Sequence, residues 1–226
     1  MELTAELIAL VERTEPDPGP EEGSVEHSNG DFSKMADAFL AEYNPTDLWV
    51  FAYGSLIWNP EFEIVEQRRA VASGWHRSFC LTLTRWRGTR EMPALMLALD
   101  RGGTCVGLAM RLPDVDSHRH LVDLLKREID ANPPTNVPRW INVRTNDGPI
   151  KALAFIALSS GPAYAGKCSL PDVAAVLARA AGHWGSAAQY AYNTIAKLEE
   201  HGIRDSNLWK IQKLLAEEIQ TIRGKG

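Results

Sequence analysis

The 226-residue sequence lacks the features that mark secreted and membrane-bound proteins. Its three cysteines, Cys80, Cys105 and Cys168, form no CxxC unit and no paired framework of the kind that stabilises small secreted domains. No segment approaches the roughly 20 consecutive apolar residues that a membrane-spanning helix needs, and the N-terminus has no basic stretch followed by a long apolar run. We therefore expect a protein of the reducing cytoplasm that does not bind a membrane.

The charged residues show no concentration of one sign. Lys and Arg number 24 against 29 Asp and Glu, which gives a formal net charge of -5, and the basic residues are scattered among the acidic ones. Such a distribution offers no basic surface to a nucleic-acid backbone. A small molecule is therefore the expected partner, whereas nucleic acid is not.

Two widespread catalytic patterns are missing as well. The sequence has no G-x-S-x-G elbow, so Ser55 has little support as the nucleophile of a hydrolase triad. It has no H-E-x-x-H motif, and His118 and His120 would lie on different faces of a helix. We therefore predict no metal site.

The apolar content is sufficient for one ordinary globular domain, since 45% of the residues are hydrophobic and 23% are charged. Residues 15–24 consist mostly of proline, glycine and acidic residues, which predicts a linker or a disordered segment. Apolar residues at helical spacing predict a short helix on each side of it. We expect residues 1–46 to form an N-terminal extension and residues 47–226 to form the main domain.

The middle of the chain predicts β-strands. Segments Val71–Thr84 and Ala94–Leu112 are rich in β-forming residues, and Asp100–Gly103 has the composition of a hairpin turn between two strands. A second hairpin is predicted at Asn146–Gly148, and a helix from about Ser117 to Asp130. Strands followed by a helical C-terminal third predict an α+β fold, with a mixed, strongly curved sheet or small barrel and flanking helices.

Polar residues at the predicted helix starts indicate N-caps. Asp31 or Ser33 is expected to cap the helix that ends before Pro45. Ser169 and Ser186 are expected to cap two helices of the C-terminal third.

Glu128 is the first candidate for chemistry. Leu121, Leu124 and Leu125 define the apolar stripe of the predicted helix, and Glu128 continues that stripe one turn further on. Partial burial would raise the pKa of this carboxyl and make it a proton acceptor near neutral pH. The alternative is a structural role, in which Glu128 pairs with an arginine or reaches solvent at the helix end.

Tyr53, Gly54, Ser55 and Leu56 are the second candidate. They follow the apolar run that begins at Trp49, which predicts a buried strand entering a turn. A glycine at that point lets successive N–H groups face one spot, where they can bind a carboxylate or a polarised carbonyl. An ordinary turn that ends the strand is the alternative.

The sequence resembles the ChaC-like γ-glutamylcyclotransferases, which are specific for glutathione. The similarity begins with the strand and glycine loop at residues 49–60 and covers the chain from about Asp47 to its end. Further similar segments follow in the same order: Gly74–Thr84, Arg87–Thr89, Gly107–Pro113, Leu124–Glu128 and Ala188–Tyr190.

The resemblance implies an α+β cyclotransferase fold and an intramolecular cyclisation that needs no cofactor. In that reaction the α-amine of a γ-glutamyl group attacks its own γ-carbonyl, which releases cysteinylglycine and leaves 5-oxoproline. Glu128 matches the catalytic glutamate, which would act as general acid/base. Residues 53–56 match the loop that holds the γ-glutamyl group, and the matches at Arg87 and Tyr190 imply further substrate-binding residues.

Three segments depart from the family pattern. Pro93-Ala94-Leu95 stands where the family has Pro-Gly-Arg, so a positive charge is missing. Ile129–Pro134 stands where the family has small residues and a tyrosine. Gly185-Ser-Ala stands where the family has Gly-x-Asn. These departures leave two alternatives to a glutathione-specific enzyme. One is a cyclotransferase for another γ-glutamyl compound, and the other is a non-catalytic protein that binds γ-glutamyl groups and acts through a partner.

Overall fold

A computed structural model describes residues 1–43, 45–129 and 131–224. The helices are α1 (Ala5–Ala9), α2 (Asn29–Glu42), α3 (Ser117–Glu128), α4 (Leu170–Arg179), α5 (Ala187–Glu200) and α6 (Ser206–Gly224). The strands are β1 (Val25–Glu26), β2 (Trp49–Ala52), β3 (Glu66–Leu83), β4 (Ala94–Arg111), β5 (Ala131–Asn132), β6 (Asn136–Thr145), β7 (Gly148–Ala157), β8 (Ala181–Gly182) and β9 (Gly185–Ser186). Asp130, the predicted helix end, lies outside the described residues.

The chain folds into two compact units. The first, which we call the helical unit, contains Met1–Glu22, Ser78–Leu97 and the chain from Ala163 onward. The second, which we call the barrel unit, contains Gly23–Arg77 and Ala98–Pro162.

Five strands close into a barrel in the order β2-β4-β3-β6-β7. Strand β2 pairs antiparallel with β4, with Trp49 opposite Arg111, and β6 pairs antiparallel with β7 through the Asn146-Asp147 turn. Parallel bridges join β7 to β2 and to β4, so the sheet is mixed. The α+β class with a small, closed barrel and flanking helices is therefore confirmed.

Small side chains fill much of the barrel interior. Ala70, Ala72, Ala109, Ala152 and Ala154 are completely buried beside larger aromatic and branched residues. A barrel of five strands encloses little space, so alanines on facing strands leave room for a few large side chains such as Phe51.

Gly107, on β4, lies close to the end of β2. A Cβ atom at this position would lie 2.4 Å from the Ala52 carbonyl oxygen and 2.8 Å from the Phe51 ring. Only glycine fits there without movement of the β2 backbone. This contact fixes the end of β2, where the candidate loop begins.

In the barrel unit, α2 packs against α3. The His118 Nε2 atom lies 3.2 Å from the Asp37 carboxylate, and Trp140 Nε1 donates a hydrogen bond to the Phe39 carbonyl at 3.2 Å. These contacts join α2 to both α3 and strand β6. As a result, α3, which carries Glu128, packs against a second helix of the same unit.

In the helical unit, α4 packs against α5 and α6, and α1 packs against α5 and α6. Leu3 is completely buried, and the backbone N–H groups of Glu2 and Leu3 donate to Gln212 Oε1 at 2.7 and 2.9 Å. The predicted linker at residues 15–24 has no regular secondary structure, but Asp17 accepts two hydrogen bonds from Arg85. The N-terminal residues are thus packed into this unit.

The prediction of a hairpin turn at Asp100–Gly103 is wrong. Strand β4 continues through these residues, and the chain reverses between Leu83 and Ala94 instead. Gly102 and Gly103 have φ angles of 96° and 70°, which a strand can accommodate as a local bend. The positive φ angles explain why glycine occupies both positions, but they do not require the chain to reverse there.

The predicted N-cap of α2 is also wrong. Ser28 caps the helix, and its hydroxyl accepts a hydrogen bond from the Asp31 N–H at 3.2 Å. Asp31 accepts the Ser28 N–H at 2.9 Å in return, which forms a capping box. Ser169 and Ser186 cap α4 and α5 as predicted.

Candidate active site

The candidate loop follows the fully buried strand β2 and is fixed at its first residue. Tyr53 is 8% exposed, and its hydroxyl donates a hydrogen bond to the Phe155 carbonyl at 2.6 Å. The Tyr53 carbonyl accepts a hydrogen bond from Arg77 Nε at 2.7 Å. The side-chain hydroxyl and the backbone carbonyl of Tyr53 are therefore both hydrogen-bonded to residues of barrel strands.

After Gly54 the chain makes a 3-10 turn over Ser55–Ile57. The N–H groups of Ile57 and Trp58 donate to the Gly54 and Ser55 carbonyls. The N–H groups that begin a helical turn have no acceptor within it, so those of Ser55 and Leu56 can face a bound group. This geometry suits the binding of a carboxylate or of a carbonyl that gains negative charge.

Arg77 contacts the candidate loop, and the sequence analysis did not identify it as a site residue. Its side chain is 4% exposed, and it also donates to the Val106 carbonyl. The residue lies in one of the segments that carry the family resemblance, and strand alternation could have placed it on the inner face of β3. Its role is to hold the loop, because its guanidinium joins Tyr53 to strand β4.

Glu128 is the last residue of α3, and its side chain is 11% exposed. Leu121, Leu124 and Leu125 are completely buried, as the apolar stripe predicts. Burial raises the pKa of the Glu128 carboxyl, while the neighbouring charge of Arg127 opposes this shift. The predicted upward shift is confirmed.

The alternative interpretation of Glu128 is also correct in part, since Arg127 Nε donates to Glu128 Oε1 at 3.0 Å. Arg127 in turn contacts Glu61, and Glu61 Oε1 accepts a hydrogen bond from Asn59 at 2.8 Å. The Asn59 N–H donates to the Ser55 carbonyl at 2.8 Å. A continuous chain of polar contacts therefore joins the loop to Glu128 within the barrel unit.

Arg87 and Tyr190 lie together in the helical unit. The Arg87 guanidinium is 5.8 Å from the centre of the Tyr190 ring, and its Nη1 donates to the Ser186 carbonyl at 3.0 Å. Burial lowers the pKa of Arg87, whereas Tyr190 and Glu12 act in the opposite direction. Tyr190 is 7% exposed, so both side chains are held in place by their surroundings.

Ser186 connects this pair to the N-terminal segment. Its hydroxyl donates to Glu12 Oε2 at 2.6 Å, and its N–H donates to Glu12 Oε1 at 3.2 Å. A carboxylate at the N-terminus of α5 is favourable because the helix dipole and the first N–H groups attract negative charge.

Within residues 1–43, 45–129 and 131–224, no three His, Cys, Asp and Glu side chains are grouped so that they could hold a metal ion. Across the same residues, no helix is both long enough and apolar enough to cross a bilayer.

The sequence pattern of the ChaC-like proteins matches residues 48–218. The chain belongs to the ChaC-like family. This ChaC-like protein is 38% identical over 177 residues to the glutathione-specific γ-glutamylcyclotransferase of Escherichia coli (strain K12), and the match covers 76% of each chain. It is 30% identical over 154 residues to the glutathione-specific γ-glutamylcyclotransferase 1 of Homo sapiens, which covers 65% of this chain and 68% of the human one.

The fold of this ChaC-like protein is similar to that of a γ-glutamyl cyclotransferase specific to glutathione from yeast. The TM-score is 0.69 at 17% sequence identity, and the match covers 77% of this chain and 97% of the yeast chain. The predicted family and the predicted fold class are both confirmed.

Proposed function

We propose that this ChaC-like protein cleaves glutathione to 5-oxoproline and cysteinylglycine. The observation that carries the proposal is Glu128, an acid with a raised pKa at the end of α3 that is joined by polar contacts to a glycine loop. The names of the Escherichia coli and human relatives support glutathione as the substrate.

Glu128 is the general base and then the general acid. Its carboxylate takes a proton from the α-ammonium of the γ-glutamyl group, and the free amine attacks the γ-carbonyl of the same group. A new C–N bond closes the five-membered ring, and Glu128 returns its proton to the leaving nitrogen as the amide C–N bond to cysteine breaks. The ring nitrogen then loses its second proton, which the released amine takes up, so that the products are the neutral lactam of 5-oxoproline and the ammonium form of cysteinylglycine. A raised pKa suits both steps, because it makes the carboxylate a stronger proton acceptor while the acid form can still return the proton.

The loop supplies orientation and charge stabilisation. Tyr53, Gly54, Ser55 and Leu56 hold the γ-glutamyl group, and the N–H groups at the start of the 3-10 turn stabilise the oxygen that becomes negative during attack. Because nucleophile and electrophile belong to one molecule, holding that molecule in a folded conformation supplies much of the rate enhancement.

The remaining parts of the proposal rest on the family resemblance. Arg87 and Tyr190 contribute to substrate binding, residues 47–226 form the cyclotransferase domain, and residues 1–46 are an extension of it. We place the reaction in the cytoplasm, where thiols stay reduced. None of the three cysteines, all of which lie in the described residues, forms a disulfide, and two of them are buried.

The test is to incubate the purified protein with reduced glutathione and to measure 5-oxoproline and cysteinylglycine by mass spectrometry. Glu128→Gln should lower turnover by about 100-fold or more, which is the range of a lost general base. Its amide oxygen can still accept the hydrogen bond from Arg127, so the fold should be retained. Glu63→Gln, at an exposed acid of the barrel unit, is the matched control and should keep full activity.

Three other outcomes would contradict parts of the proposal. A Glu128→Gln variant with wild-type turnover would exclude this residue as the base. Formation of 5-oxoproline from another γ-glutamyl compound but not from glutathione would show that the missing charge at Pro93-Ala94-Leu95 changes the substrate. A thermal shift with glutathione but no product would identify a binding protein, since a ligand of the native state raises its stability.

A further inference from the structure

Arg127 lies between two carboxylates that come from different parts of the barrel unit. Its Nε atom is 3.0 Å from Glu128 Oε1, and its Nη1 atom is 2.6 Å from Glu61 Oε2. The Arg127 side chain is 13% exposed, the Glu128 side chain 11% and the Glu61 side chain 59%. One guanidinium charge is therefore shared by a buried acid and an outer acid.

Glu61 is held in this position by its own backbone and by a neighbour. Its φ angle is 57°, which is a left-handed backbone conformation that residues other than glycine, asparagine and aspartate seldom adopt. Asn59 Nδ2 donates to the second carboxylate oxygen at 2.8 Å. Both oxygens of Glu61 are thus engaged, and the unfavourable backbone conformation is maintained by the surrounding contacts, as is common at functional sites.

We propose that Glu61 is a positioning residue, which holds the outer end of Arg127 so that the guanidinium orients the Glu128 carboxylate without fully neutralising it. The proposal rests on the proposed function in one respect only, namely that Glu128 is the base. Glu61 itself does not touch the reacting atoms and acts through Arg127.

The electrostatic part of this role follows from the charges that face Glu128. On its own helix Arg127 favours the carboxylate form, and from the segment after the 3-10 turn Glu61 disfavours it. Leu124 and Leu125, which lie four and three residues before Glu128 on α3 and so share its side of the helix, carry no charge. Without Glu61, the full charge of Arg127 would act on Glu128 and make it a weaker base.

The geometric part follows from the fork of donors on arginine. The guanidinium is planar, so two carboxylates bound at its two ends fix its orientation and, through it, the orientation of the Glu128 carboxylate. Because Asn59 connects Glu61 back to the Ser55 carbonyl, the same contacts align the base with the loop.

The experiment compares Glu61→Gln and Glu61→Asn with the control Glu63→Gln in the full-length protein. Asparagine tolerates positive φ, so Glu61→Asn removes the charge without adding backbone strain. The Glu128 carboxyl is titrated by NMR with 13C-labelled glutamate, and its signal is assigned by its loss in Glu128→Gln. The pH dependence of kcat/KM for glutathione is measured on the same variants.

We expect the acid dissociation constant of Glu128 to increase about three- to tenfold in both Glu61 variants, because a like charge held on the same guanidinium is removed. The acid limb of kcat/KM should move to lower pH by the same factor. Both values should remain at the wild-type level in Glu63→Gln. A merely structural ion pair would change the unfolding midpoint without changing either titration.

The two readouts separate this proposal from the proposed function. An unchanged NMR titration of Glu128 in both Glu61 variants would overturn the role of Glu61, whatever the activity. A shifted NMR titration with an unshifted kcat/KM profile, or with no turnover of glutathione in any variant, would support the role of Glu61 on Glu128 and exclude Glu128 as the base for that substrate.

Discussion

Replacing Arg77 by methionine should weaken both the fold and the glycine loop. Methionine keeps much of the apolar length of the side chain but removes the donors to the Tyr53 and Val106 carbonyls. Arg77 is 4% exposed, so water does not easily replace it at these carbonyls. Because Tyr53 begins the loop, we expect the N–H groups of the 3-10 turn to lose their fixed direction.

The magnitude can be estimated from the lost hydrogen bonds. Leaving a buried acceptor without a partner costs about 1–3 kcal/mol, so two carbonyls give about 2–6 kcal/mol. Removing a buried guanidinium recovers part of this cost, since burial of a charge is unfavourable. We therefore expect the free energy of unfolding to fall by about 2–4 kcal/mol, which lowers Tm by about 4–16 °C in a chain of this size.

Urea unfolding and steady-state kinetics on the same preparation measure the two effects. Below the unfolding transition, kcat/KM for glutathione should fall at least tenfold in Arg77→Met. Arg77→Lys should be intermediate, because one ammonium does not reproduce the fork of arginine. Arg144→Met, at an exposed position of the neighbouring strand β6, should change the free energy of unfolding by no more than about 0.5 kcal/mol. Unchanged kinetics in a destabilised Arg77→Met variant would refute the role of Arg77 in holding the loop.

Two further predictions concern Glu128 and Gly107. The raised pKa of Glu128 means that its contribution to stability is present below the ordinary value of 4.5 and is lost as the pH rises through the higher value of the folded state. The stability of Glu128→Gln relative to the wild type should therefore increase as the pH rises. Urea unfolding of both proteins at a series of pH values measures this difference in the free energy of unfolding. A difference that stays constant with pH would contradict the prediction. Gly107→Ala should destabilise the protein by about 1–3 kcal/mol, since the added methyl group would overlap the Ala52 carbonyl. Gly30→Ala in α2 is the control, because its methyl group meets no close neighbour and should not destabilise the protein. Equal unfolding midpoints for the two alanine variants would contradict this interpretation.

The parts of the fold that the sequence predicts correctly are those fixed by local signals. The apolar run from Trp49 predicts the buried strand β2, and the Asn146–Gly148 turn residues predict the β6–β7 hairpin. Ser169 and Ser186 predict helix starts because the serine hydroxyl can accept a hydrogen bond from the backbone N–H three residues later. This bond is local and needs no contact with a distant part of the chain. Glu128 belongs to the same class, since helical periodicity alone places it beside buried leucines.

The errors arise where one local signal fits two structures. Gly102 and Gly103 indicate positive φ, which both a hairpin turn and a bent strand can use, and pairing with other strands selects the bent strand. Ser28, Asp31 and Ser33 can each cap a helix. The reciprocal bonds of the capping box favour Ser28, and this preference depends on two residues together.

The residues that the sequence analysis missed act through partners that are distant along the chain. Arg77 contacts a carbonyl 24 residues before it, and Glu61 contacts Arg127 from another part of the barrel unit. Each of these residues is an ordinary charged residue when only its neighbours in sequence are considered. Their roles become visible only when the fold brings the partner within hydrogen-bond distance.

The barrel unit contains both the candidate loop and the proposed base, Glu128, and the elements that carry them are held by separate sets of contacts. The loop leaves a strand whose position is limited by Gly107 and Arg77, and the base ends a helix whose position is limited by buried leucines and by α2. An intramolecular cyclisation requires only that one substrate be held folded beside one base. Rigid elements on both sides meet that requirement, and the contacts from Asn59 through Glu61 and Arg127 fix the loop and the base relative to each other. The proposed chemistry therefore depends on the alignment of the loop with Glu128 more than on the number of catalytic groups.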